Sequence, residues 1–133
     1  MDQFDSDAET IVVFHLDDEF LFSHYFERRD VFRELSEYYN SEEYRFEVPE
    51  TQFESVQQRL RAEYYELRVV DNPGRYCVVV EKYDKHAAIL RDSVANWERR
   101  GHRFFLMKDE LTVEKAVERG ADRLSETEFV LGL

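Results

Sequence analysis

The stretch Ile11-Val12-Val13-Phe14-His15-Leu16, closed by Asp17-Asp18-Glu19, decides how the chain folds. A near-continuous apolar run of this length, bounded by acids, is the pattern of a strand covered on both faces inside a sheet. It is expected at the sheet's centre. Downstream, from Asp18 to Asn40, Leu21, Tyr25, Phe32, Leu35 and Tyr39 keep helical spacing, although Phe20 to Phe26 is also rich in strand-forming aromatics. We assign a helix there, with a break near Arg28 to Asp30, where Asp30 can cap a second helix over Val31 to Tyr39. Tyr44, Phe46 and Val48 then alternate as in a strand that Pro49 ends.

Further out, Thr51 and Glu54 have capping-box spacing, and Phe53, Val56, Leu60 and Tyr64 recur as on a helix. Two apolar runs, Glu66 to Val70 and Arg75 to Tyr83, flank Asp71-Asn72-Pro73-Gly74, which suits a type II turn and predicts a hairpin. Asp84 can cap a helix carrying Ala87, Leu90, Val94 and Trp97 and ending at Gly101, with Arg99 and Arg100 favoured at its C-terminal dipole. His102 to Lys108 follows as a strand, Thr112 to Arg119 as a helix stopped by Gly120, and Phe129 to Leu133 as an edge strand or docking tail. The expected fold class is α/β: a flexible N-terminus over residues 1–8, then one layered domain over 9–133. In it, helices pack on a mixed sheet with one inserted β-hairpin. A ferredoxin-like α+β sandwich is the alternative. With 4 Gly, 2 Pro and no repeat, nothing marks a linker.

Composition bounds the chemistry. The 133 residues carry 30 Asp+Glu against 18 Lys+Arg, a formal net charge of −12, and only 4 of the basic residues are Lys. Nucleic-acid binding works by cationic groups displacing counterions from phosphates, so a nucleic-acid partner is disfavoured. The acidic opening has no basic leader and no apolar run spans a bilayer, so the expectation is a cytoplasmic chain without membrane contact. Cys77 is the single cysteine, which excludes an internal disulfide and fits a reducing compartment. Acids spread along the whole chain, with Arg outnumbering Lys, resemble the small acidic domains of haloarchaea, whose carboxylates hold water and cations in brine. An acidic mesophilic domain is the plainer alternative.

Several activities lack their residues. His15, His24, His86 and His102 have no metal-ligand spacing, and HExxH, G-x-S-x-G, Walker A and G-x-G-x-x-G are all absent from the sequence. Cys77, within an apolar run, is expected to fill core space. The acid cluster Asp17, Asp18, Glu19 after the first strand stands where ligands gather in open α/β sheets. The run IVVFHLDDE resembles the opening of receiver domains of response regulators. That resemblance implies magnesium on Asp17 and Asp18, with Asp71 as phospho-acceptor and Lys108 beside it. Otherwise the acids cap the next helix and no cofactor is expected. The rhythm of Gly74 to Asp92 and Arg103 to Asp122 is similar to the second half of DICT sensory domains. Adjacent tyrosines at Tyr38, Tyr39 and at Tyr64, Tyr65 must leave one ring of each pair exposed, as protein interfaces use them. The function expected is therefore a non-enzymatic regulatory or interaction domain of a halophile. It would act through a protein partner, a homodimer or small-ligand sensing, with the receiver-like phospho-acceptor as alternative.

Overall fold

The computed structural model describes residues 8–81 and 84–129. Helices and strands mix, as the α/β class requires, but the strands are divided between two sheets. The chain forms two compact units, Met1–Val70 and Asp71–Leu133.

The first unit runs β1 (Glu9–Leu16), β2 (Glu19–Phe22), α1 (Arg29–Leu35), a 3-10 turn (Ser36–Tyr38), β3 (Tyr39–Asn40), β4 (Arg45–Pro49), α2 (Glu50–Ala62) and β5 (Tyr65–Val69). Its sheet has the order β3-β4-β2-β1-β5. The IVVFHL run is an interior strand as expected, between antiparallel β2 and parallel β5, but it lies next to the edge strand β5 and β2 takes the centre. Ile11 and Val13 on one face join Phe22, Phe46, Val48, Val56, Leu60 and Leu67 in the core that the helices cover. Val12, Phe14 and Leu21, of opposite phase, are also buried. A fully buried Phe contributes roughly 2 kcal/mol by apolar transfer, so Phe22 and Phe46, stacked at 5.0 Å, anchor this layer.

The helix expected from Asp18 to Asn40 is corrected in its first part. Phe20 and Phe22 alternate with Leu21 on a short strand, because pairing with β1 and β4, with Leu21 and Phe22 buried on opposite faces, outweighs helical spacing. The break near Arg28 is real, yet Arg28 holds the N-cap position of α1 and no side chain caps it. Helix α2 forms as its stripe predicts, with Phe53, Val56 and Leu60 buried. Its N-cap is Pro49, so the Thr51/Glu54 capping box is not made.

The predicted hairpin around Asp71 to Gly74 is overturned. Strand β5 pairs with β1, and the next strand, β6 (Cys77–Glu81), pairs with β8 (His102–Met107) and β9 (Asp122–Arg123). Gly74 does not take the positive φ of a type II turn; Asn72 instead accepts a hydrogen bond from the Gly74 amide at 3.2 Å and starts a 3-10 turn, Pro73–Tyr76. The helix expected from Asp84 to Gly101 shrinks to α3 (Ala87–Arg91), followed by β7 (Ser93–Arg99). Trp97 pairs with Phe104 of β8 while Val94 falls at a bulge between the paired Ser93 and Ala95, and Arg100 (φ 52°) with Gly101 (φ 76°) closes the two-residue hairpin turn. The last helix, α4 (Glu110–Glu118), matches expectation; Asp109 and Thr112 form its capping box and Gly120 follows at φ 103°. The sheet order is β7-β8-β6-β9. A 3-10 turn, Leu124–Glu126, follows β9, and its Leu124 packs with Cys77, Val79 and Phe104. Of the expected C-terminal strand only Phe129 is described, and of residues 1–8 only Ala8. Among the described residues no helix is long and apolar enough to cross a membrane.

Candidate functional site

Strand directions sort the first unit's sheet into two ends. Leu16 lies opposite Glu19, and Glu19 opposite Pro49, so the β1–β2 turn and the start of α2 share one end. Glu9 lies opposite Tyr65, Phe22 opposite Phe46, and Asn40 opposite Arg45, which places the start of β1, the exit of β2, the β3–β4 loop and the start of β5 at the other.

The acid end is a built structure. Asp17 and Asp18 form a two-residue hairpin turn, with Asp17 at φ 55°, a conformation short polar side chains tolerate. The Asp18 carbonyl accepts the Glu50 amide at 3.1 Å, tying the turn to the first residue of α2. Behind it His15 stacks on Phe20 at 4.3 Å and Phe20 on Phe53 at 3.9 Å, while His15 Nε2 and Glu50 Oε1 lie 2.5 Å apart. Asp17 and Asp18 are exposed and Glu19 is half-buried. The expected helix cap is absent here, since the chain leaves β1 into a hairpin and not into a helix. Among the described residues no three His, Cys, Asp or Glu side chains are grouped as a metal ion would need.

The other end is a display of rings. Tyr25 is 82% exposed, Tyr44 70% and Tyr64 60%. Contacts made by adjacent residues link the segments that carry them. Ser23 Oγ donates to the Tyr44 carbonyl at 3.4 Å; His24 and Phe26, either side of Tyr25, pack edge-on against Tyr65 at 5.6 and 5.1 Å; Arg28 pairs with Glu63, next to Tyr64. Tyr44 (φ 56°) and Tyr64 (φ 67°) both occupy the left-handed region, which is costly for a bulky residue. The Asn40 side chain accepts the amides of Glu42 and Glu43 at 3.0 and 3.1 Å and shapes the loop that presents Tyr44.

Of the four tyrosines singled out from sequence, only Tyr64 is strongly exposed. Tyr38 is buried and donates to Gln52 Oε1 at 2.5 Å; burial, then the nearby Glu37 charge, pushes its hydroxyl pKa up. Tyr39 packs edge-on against Phe46 at 5.0 Å. Tyr65 is half-buried beside Phe26, and burial, then Glu9, raises its pKa. Tyr25 and Tyr44 were missed, and period-2 phase would not have found Tyr25, because Leu21 in the same phase is buried and the strand ends at Phe22.

The remaining sequence candidates belong to the second unit. Asp71 is exposed at its first position, and Lys108 Nζ lies 3.7 Å from Asp92 Oδ1. Cys77 is buried, and desolvation pushes its thiol up to about 12, which keeps it protonated and unreactive at neutral pH. Comparison with protein-family models, curated proteins and solved structures finds no match to this chain.

Proposed function

We propose that the chain is a non-enzymatic interaction module that holds a protein partner through the tyrosine-bearing end of its first sheet, in the cytoplasm of a salt-adapted cell. The observation that carries this reading is the gathering of Tyr25, Tyr44 and Tyr64, the most exposed large rings among the described residues, at one end of one sheet. Tyrosine rings give large, stiff, amphipathic contact area at little entropic cost, which is why interfaces favour them. Two of them sit in backbone geometry that costs an L-residue roughly 1–2 kcal/mol and that Gly adopts freely. Exposed rings return little of that cost through packing, so a role outside the fold accounts for them better.

Glu27, two residues from Tyr25, and Glu42 and Glu43, just before Tyr44, are exposed. They favour a partner surface carrying Arg or Lys, whose cations can also lie over the tyrosine faces. The net charge of −12 supports salt adaptation and weighs against nucleic acid as partner.

The test uses the full chain at about 2 M KCl, where screening leaves mainly short-range contacts. Light scattering determines whether the partner is a second copy; affinity capture with mass spectrometry identifies a different one. Replacing Tyr25, Tyr44 and Tyr64 together by Ser should abolish that association while leaving the melting curve nearly unchanged. Association that survives in the triple variant refutes the assignment of this surface.

A further inference from the structure

The second unit holds a cleft of about 220 Å³, open to solvent, whose lining carries both charge signs; Arg75, Glu110, Glu114 and Ser125 are exposed and Arg123 is half-buried. Arg75 comes from the 3-10 turn before β6 and Arg123 from β9, whereas Glu110 and Glu114 come from α4. Ser125 adds a hydroxyl, and Cys77 lies at the wall with its thiol protonated. Among the described residues, neither arginine and neither glutamate takes part in an ion pair or a side-chain hydrogen bond. Arg28, Arg45, Arg61 and Arg103 are each paired with a carboxylate, whereas, among the described residues, Arg29, Arg33, Arg91, Arg100 and Arg119 have no such pairing; what distinguishes Arg75 and Arg123 is that they line one cleft together with two glutamates.

The arrangement also carries an internal cost. Glu110 and Glu114 stand four residues apart on one helix face, where like charges repel. A cation placed between them removes the repulsion, and a carboxylate across the cleft satisfies the arginine forks bidentately. A plain anion would leave the glutamates facing it, and a plain cation would face the arginines. The volume is below the roughly 300 Å³ at which drug-sized sites begin, so the occupant is small. We propose that this cleft binds a zwitterion of amino-acid size, its carboxylate on Arg75 and Arg123 and its ammonium on Glu110 and Glu114. The site is independent of the tyrosine surface, and neither stands or falls with the other.

Backbone-amide NMR of the full chain, titrated with each proteinogenic amino acid, acetate and methylammonium, tests it. At least one amino acid should shift the Gly74, Arg75 and Ser125 amides saturably with Kd below about 10 mM, the weak range expected of so small a ligand. Acetate and methylammonium should bind weaker by on the order of tenfold, since each keeps only half the charge pairing. Arg123→Gln and Glu114→Gln should each weaken the best amino acid by a similar factor. Should Arg123→Gln fail to fold, Arg75→Gln on the exposed 3-10 turn supplies the same reading. The proposal is overturned if no amino acid shifts these amides, if acetate binds as tightly as the best amino acid, or if the folded variants bind unchanged.

Discussion

At one end of the first unit's sheet, His15, Phe20, Phe53 and Glu50 interlock behind an acidic turn; at the other, Tyr25, Tyr44 and Tyr64 stand in solvent. The acid end is conspicuous in sequence because carboxylates cluster there, yet its groups serve one another: a turn, a stacked column and a helix start. The tyrosine end is inconspicuous because its rings come from segments far apart in the chain. Residues whose contacts are complete within the fold maintain it, while costly residues without such contacts point outward to something else.

The largest expected effect breaks the acid end. Phe20→Ala removes the middle ring of the column and should lower unfolding stability by about 3 kcal/mol, read as a reduced urea midpoint in constant high salt. A shift near zero would mean that the stack does not hold this end together. A smaller effect concerns the second unit as a control for buried polarity. Cys77 has its pKa raised from 9.0 to about 12 in the folded chain. The folded state therefore holds the proton more tightly, so the stability it confers is complete below about pH 9 and is lost as pH rises toward 12. Between pH 8 and pH 10 the loss should be about 1 kcal/mol, and it should be missing from the same comparison made on Cys77→Ala.

Smaller again are the backbone tests at the two ends. Tyr64→Gly should raise stability by about 0.5 kcal/mol, relief of the left-handed strain exceeding the extra freedom of the unfolded glycine. Asp17→Gly should do the same at the acid turn, given its φ of 55°. If Asp17→Gly destabilises, the carboxylate has work beyond the turn and the contrast between the ends is wrong. The smallest effect is Tyr25→Ser, expected to move thermal stability by no more than about 0.5 kcal/mol, as befits a ring 82% exposed. A large loss there would show that the ring packs in solution.

Reading particular elements shows where local pattern suffices. Strand β1, helix α2 and helix α4 follow from apolar runs or stripes, because a buried face imposes its period on the sequence. Strand β7 does not: its apolar residues also fit a helical stripe, and the pairing of Ala95 to Arg99 with β8 settles the matter. The Arg100-Gly101 turn carried a usable sign, since glycine at the second position of a tight hairpin is as informative as glycine at a helix end. The Asp17-Asp18 turn carried less, because paired acids also suit a helix start.

By itself the sequence determined the α/β class, the interior strand Ile11 to Leu16 and the acidic solvated surface, since each depends on composition or on neighbours within a few residues. Only the tertiary structure decided that β5 joins β1 while β6 joins β8, that Tyr25, Tyr44 and Tyr64 share one end, and that Arg75 and Arg123 line one cleft with Glu110 and Glu114. Such pairings are chosen by free energies of contact between distant segments, which no short window of sequence contains.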